Sequence, residues 1–376
     1  MKQKEEQKMK FKFIGLGAAG NKAVLELINQ KCCKEEDVLL VNSTDKDFPA
    51  NYSGRKIILK QDNTGCGKER AVAKECALTN VSAFDDLENT CEEVVLVASM
   101  EGGTGSGALP IIANYLDQVL GKNIHIVGFK GFEDDVRGLQ NTVEFMQDIS
   151  KLDVDIMLID NKTFIIDNAN RFEIEKAANI EFCNRMRVLT GQDIMASTQN
   201  IDDTDIKKVV NTIGYKTIET FTFGNEVLTS RELFNKKCRF AIAFSKSVKC
   251  ENPGMQRLAV IANIMPESED GIDDSFSTIK DHYGVPYECF FHKQYDGKEQ
   301  YISFICSGMK LPIDDLEATY EKYKEQSNLV NKERDEFADK AAELAIDPLD
   351  LRYDCARGTN RVKIDKSDFI SKYETK

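Results

Sequence analysis

Glu93-Val94-Val95-Leu96-Val97-Ala98-Ser99-Met100-Glu101-Gly102-Gly103-Thr104-Gly105-Ser106-Gly107 reads as a nearly all-apolar strand running into a glycine-hydroxyl loop. A strand that is apolar without alternation suits a parallel sheet covered on both faces. The apolar-rich segment Ala108 to Leu120 follows as a helix. The loop therefore opens a helix, where backbone N–H groups and the Thr104 and Ser106 hydroxyls can surround a polyphosphate. No G-x-x-x-x-G-K-[ST] pattern occurs, so the ordinary P-loop solution is excluded.

The same grammar repeats on either side. Phe11 to Ile14 is a short strand, Gly15 to Gly20 fits G-x-G-x-x-G, and Asn21 to Gln30 carries Ala23, Val24, Leu27 and Ile28 at helical spacing. Glycine serves such a turn because phosphate oxygens must approach its N–H groups closely. A dinucleotide site would place an acid about twenty residues on. Here Val38 to Val41 ends at Asn42-Ser43-Thr44-Asp45, where Asp45 comes late. Further strands are expected at Ile124 to Phe129 and Val154 to Ile159. Repeated strand-loop-helix units predict a doubly wound parallel α/β domain with ligands at the carboxyl ends of the strands.

Phe172 to Leu189 reads as a long central helix, after which the pattern changes. Arg239 to Phe244 and Leu258 to Ile264 are expected as strands. Tyr287 to His292 and Tyr301 to Cys306 flank the hairpin signal Tyr295-Asp296-Gly297-Lys298. Asp314 to Ala345 is one long charged helix. The expected division is a nucleotide-binding domain at 1–171, central helix and connector at 172–198, a smaller α+β domain at 199–311, and the long C-terminal helix and tail at 312–376.

The 376 residues carry a net charge of −13, which argues against direct, non-specific nucleic-acid binding. A hydrophobic fraction of 41% beside 30% charged residues is that of a soluble globular protein. No apolar run reaches a membrane span, and Met1 to Lys10 has no signal core, so a cytoplasmic protein with no membrane partner is expected. The 11 cysteines are scattered, and His125, His282 and His292 share no ligand spacing with them. No metal site made by the protein alone is expected, and catalysis should rest on carboxylates, backbone donors and a bound ion.

The pairing of G-G-T-G-S-G with an upstream G-x-G-x-x-G-N resembles the signature of the tubulin/FtsZ superfamily, although Glu101 stands where the family has a glycine. The resemblance implies that GTP or GDP is held by Gly17, Ala18, Ala19, Gly20 and Asn21, by Thr44 and Asp45, and by Gly67 and Lys68. It adds Gly102, Gly103, Thr104, Gly105, Ser106 and Gly107, then Glu133 and Arg137 near the ribose, with Asn161 and Asn179. Asn21 and Asn179 would face the guanine edge, where an amide offers donor and acceptor together. Lys68 would approach the terminal phosphate, and Mg²⁺ would offset the charge.

Asn200, Asp202 and Asp205 match the family's catalytic N-x-D-x-x-D loop. Read alone, the acids before Ile206 are a helix cap favoured by the dipole, which is compatible with that role. The resemblance implies that this loop completes the site of the next subunit in a head-to-tail filament. Asp202 and Asp205 would orient and polarise the attacking water. The long last helix and short tail resemble the TubZ branch, which implies plasmid or phage DNA segregation through a TubR-like DNA-binding adaptor. A cell-division or phage-centring relative and a non-polymerising nucleotide enzyme stay open. From Arg352 onward seven basic residues face four acidic, an end that either docks on a neighbouring subunit or the adaptor–DNA complex or stays solvated, and both readings stay open.

Overall fold

The computed structural model describes residues 9–60, 62–192 and 203–343. The chain up to Glu321 packs as one compact unit, and Lys322 onward is a second. Among the described residues, ten strands form one sheet: β1 (Phe11–Leu16), β2 (Val38–Asn42), β3 (Arg55–Ile58), β4 (Glu93–Ser99), β5 (Asn123–Lys130), β6 (Asp155–Asp160), β7 (Gly214–Gly224), β8 (Arg257–Asn263), β9 (Glu288–Gln294) and β10 (Gln300–Met309). Their order is β3-β2-β1-β4-β5-β6-β7-β10-β8-β9. From β3 to β7 every pair is parallel. β10 is antiparallel to β7 and β8, and β9 runs parallel to β8.

Because successive side chains point to opposite faces, each apolar strand feeds two cores. Phe11 and Phe13 of β1 join Val24 and Leu27 of α1 (Gly17–Asn29), Phe182 and Met186 of α5 (Arg171–Leu189), and Val209 of α6 (Asp203–Val210). Ile14 and Leu16 face the other way. They join Ala73 of α2 (Arg70–Thr79), Leu109 and Ile112 of α3 (Thr104–Gln118), and Phe145 of α4 (Val136–Ile149). The doubly wound α/β architecture is present as expected. α5 starts on a reciprocal cap in which Asn170 Oδ1 accepts from Glu173 N at 3.0 Å and Glu173 Oε2 accepts from Asn170 N at 2.9 Å.

Two expectations fail in the second half. Arg239–Phe244 is not a strand but the end of α7 (Arg231–Ala243). Ser230 caps that helix by accepting from Leu233 N at 3.2 Å, and Phe234 and Cys238, four residues apart, are its buried pair. The short apolar run belongs to a longer helical repeat that opens on polar residues. The Asp-Gly turn also joins no paired strands, since β8 lies between β9 and β10. Asn263, ending β8, donates to Asp296 Oδ1 at 2.9 Å and to the Glu299 carbonyl at 3.0 Å, so the loop arches over β8. After α8 (Ser277–Tyr283), α9 (Ile313–Glu343) is the expected long helix, and the basic tail lies outside the described residues.

At the amino ends of the central strands sits a buried ionic chain. His125 Nδ1 lies 2.6 Å from Asp155, and its Nε2 lies 3.0 Å from Glu93. Lys216 of β7 donates to Asp155 at 2.7 Å and to the Val210 carbonyl at the end of α6. The opposite edge carries the glycine loops.

Candidate nucleotide site

Leu16 pairs with Ala98, so the loops after β1 and β4 leave the same sheet edge side by side. Gly17 takes φ 72° at the first residue of α1, a left-handed conformation that favours glycine. A Cβ on Gly105 would fall 2.7 Å from the Leu16 carbonyl, and one on Gly103 would fall 2.8 Å from Lys68 Cα. These two glycines therefore let three loops pack against one another. Gly102, by contrast, meets open space on its Cβ side. Ser43 Oγ lies 3.0 Å from Thr104 Oγ1 and ties the second loop to the start of α3.

Two cavities meet above this edge. The larger, about 320 Å³, is lined by Gly17, Ala18, Ala19, Thr44, Lys68, Gly102, Gly103, Thr104 and Gly105, together with Asn42, Asp47 and Gly65. The smaller, about 110 Å³, is lined by Asn161, Asn179, Lys22 and Glu175 among others. Ala19, Ser99, Glu101 and Arg171 line both. Asn161 is buried, and its Oδ1 has no hydrogen-bond partner. Such an atom beside a cavity is an acceptor awaiting a donor.

Charges of both signs rim the groove. Lys68 pairs with Asp135, the N-cap of α4, which also accepts from Gly138 N at 2.7 Å. Burial pushes the Asp135 carboxyl up, but those bonds hold it below its usual range. Arg171 pairs with Asp134 at 2.7 Å and Glu175 at 3.1 Å, and lies 4.6 Å from the Phe132 ring centroid.

Other expected residues are placed elsewhere. Gly20 packs against the Val97 carbonyl, and Gly107 against the backbone of Arg70. Asn21 is buried, donating to the Val41 carbonyl at 3.2 Å and accepting from Val41 N at 3.3 Å, so its amide staples α1 to β2. Asp45 is exposed and bound to Asn63 at 2.6 Å, while Asp47, held by Asn42 at 2.8 Å, lines the cavity. Gly67, φ 56°, is a turn residue, and Ser106 donates to the Gly102 carbonyl. Glu133 turns onto Lys130 at 2.6 Å and Lys162 at 2.7 Å, and Arg137 onto Glu69 at 2.7 Å. Asp205 sits in the first turn of α6, 3.4 Å from Lys208, whereas Asn200 and Asp202 lie outside the described residues. Sequence reading missed Asp47, Ser99 and Arg171, which no glycine or acid motif marks.

It also missed Arg70. Pro110 inside α3 has no N–H for the Ser106 carbonyl four residues back. Arg70 supplies the donor at 3.1 Å, and the same buried guanidinium pairs with Glu144 at 2.9 Å and Asp148 at 2.6 Å. Arg70→Met leaves that carbonyl without its donor and takes the guanidinium from both carboxylates, although Asp148 keeps Lys74 at 2.6 Å and Glu144 keeps Gln140 at 2.7 Å. The expected cost is about 3 kcal/mol, at the low end for breaking a buried pair because Glu144 is partly exposed. Urea unfolding measures it, and a loss under about 1 kcal/mol, the level of an exposed pair, contradicts the account.

A larger cavity of about 810 Å³ lies among Tyr215, Arg239, Lys249 and His282, away from the strand-end loops. A polyphosphate needs convergent backbone donors, so the glycine-lined groove is the better nucleotide site despite its smaller volume.

Residues 10–168 match the model of the Tubulin/FtsZ family, GTPase domain. This segment is similar to a tubulin/FtsZ GTPase domain. The tubulin-like protein TubZ of Clostridium botulinum C phage is 25% identical over 385 residues, covering 97% of this chain and 99% of that one. The crystal structure of Clostridium botulinum phage c-st TubZ superposes with a TM-score of 0.66 at 19% identity, over 85% of this chain and 100% of that one. The GTPγS-form protofilament of Bacillus thuringiensis serovar israelensis TubZ gives a TM-score of 0.70 at 12% identity, over 86% and 95%. Both glycine loops and the three cavity-lining asparagines, Asn42, Asn161 and Asn179, fall in the matched segment or in α5 directly after it.

Proposed function

We propose that the chain is a GTP-hydrolysing filament subunit that polymerises head to tail and moves plasmid or phage DNA in a bacterial cytoplasm through a TubR-like DNA-binding adaptor. The observation that carries the nucleotide reading is the orphaned Asn161 Oδ1, in a cavity that Asn179 also lines and that shares four lining residues with the cavity of the glycine loops. A guanine edge offers N–H donors to such acceptors, and the start of α3 offers N–H groups to phosphates. Among the described residues no cluster of three acidic, cysteine or histidine side chains could hold a metal. A Mg²⁺ would therefore be held by phosphate oxygens and water with Asp47 nearby, a mode this hard cation favours. Its contribution is to offset phosphate charge.

Residues 1–171 would bind the nucleotide, and the loop with Asn200, Asp202 and Asp205 would complete the site of the adjacent subunit. The relatives named TubZ, one of them solved as a protofilament, support assembly of this kind. A filament that repeats −13 per subunit is a polyanion, which repels bare DNA and calls for a basic adaptor.

Sedimentation tests the reading. GTP is expected to drive the protein into the pellet, with GDP and NAD leaving it soluble, and DNA is expected to co-sediment only when an adaptor is added. A protein that stays soluble with GTP, or that pellets DNA alone, overturns the corresponding part.

A further inference from the structure

Glu101 stands at the mouth of the second glycine loop, and its side chain has a defined place. Glu133 N donates to its Oε1 at 3.2 Å, and a Cβ on Gly131 would overlap its carboxylate. The carboxylate thus lies over the loop that follows β5, where it lines both cavities of the groove. A nucleotide with phosphates in one cavity and base in the other passes its sugar through the junction between them. Four residues border both cavities. Ala19 has no polar side chain, Arg171 is a donor already paired with Asp134 and Glu175, and Ser99 offers one hydroxyl. Glu101 is the acceptor-only group of the four, and a ribose presents two adjacent hydroxyl donors. Glu133, the acid that the family resemblance puts near the ribose, is engaged by Lys130 and Lys162.

The geometry points to Glu101 as the ribose-selecting residue of this site, accepting hydrogen bonds from the 2′- and 3′-hydroxyls of the bound nucleotide. This rests on the nucleotide reading above. Burial, reinforced by Asp134 and Asp135, pushes the Glu101 carboxyl above its ordinary range, so its charged form gains from such donors.

The test compares binding of GTP and 2′,3′-dideoxy-GTP to the full chain and to Glu101→Gln and Glu101→Gly. The parent is expected to prefer GTP by about 10- to 100-fold, the range for hydrogen bonds to a charged group. Glu101→Gly should bring the two nucleotides to within about threefold, with Glu101→Gln between, because its amide keeps one acceptor. Dideoxy-GTP affinity should be unchanged throughout, which also reports that the variants fold. Loss of dideoxy-GTP binding makes Glu101 structural and overturns the proposal. So does a parent without preference, or variants that tighten both nucleotides equally, which makes the carboxylate a brake on the phosphates. If the parent binds neither nucleotide, the nucleotide reading itself falls.

Discussion

Lys216→Met is expected to destabilise the protein by about 3–5 kcal/mol, the cost of removing one member of a buried ion pair. Lys216 is fully buried, and its ammonium is the partner of Asp155 at 2.7 Å. Without it, Asp155 keeps only His125, and the Val210 carbonyl at the end of α6 loses its donor. Chemical unfolding of the single variant and of Lys216→Met/Asp155→Leu checks the assignment. The double variant should recover part of the loss because no uncompensated charge remains. A single-variant loss under about 1 kcal/mol, or a double variant worse than the sum, refutes it.

The same chain predicts the pH response. Burial alone would lower the pKa of His125, but the charge of Asp155 and the bonds to Asp155 and Glu93 lift it above its usual value. Its contribution is therefore complete below about pH 6.5 and is lost as pH rises through the lifted value. Burial likewise opposes ionisation of Asp155 and Glu93, yet Lys216 and His125 for Asp155, and His125 for Glu93, hold both below the usual carboxylate range. Their contribution is present above about pH 4 and fades as pH falls through the lowered values. Thermal melts should show greatest stability between these limits.

Asp205→Ala is expected to cut GTP turnover by about 10²- to 10⁴-fold, the span for a group that positions or deprotonates a nucleophile. Nucleotide binding and filament formation should persist, giving long filaments that do not disassemble. The reasoning is positional. Asp205 lies in the first turn of α6, outside the linings of the nucleotide groove, so its proposed role is exercised on a neighbour's nucleotide. Phosphate release from dilute, unassembled protein at the full assembled rate would sink the shared site, as would an Asp205→Ala protein with normal turnover.

The glycine loops were legible because their demands are local: a positive φ at Gly17 or a close approach at Gly105 permits little but glycine. β7 was not. Its Lys216, Thr217 and Glu219 are buried polar residues that break the alternation of a strand. Their partners Asp155, Ser247 and Arg185 lie 30 to 61 residues away along the sequence, beyond any local pattern. Asn21 shows a different limit. A motif identifies a residue, but only packing reveals that its amide is committed to the Val41 backbone. α7 was misread because a six-residue window cannot separate a strand from one face of a helix.

The unbroken ladder from β3 to β9 constrains how this chain can be dissected in the laboratory. A fragment ending at residue 171 would strip β7 from β6, exposing the Asp155–Met157 backbone as a raw edge ready to pair with another molecule. It would also remove the cation beside Asp155. Isolated halves are therefore poor surrogates, prone to precipitation for reasons unrelated to nucleotide chemistry, and separation of tasks should be sought with point substitutions in the intact polypeptide.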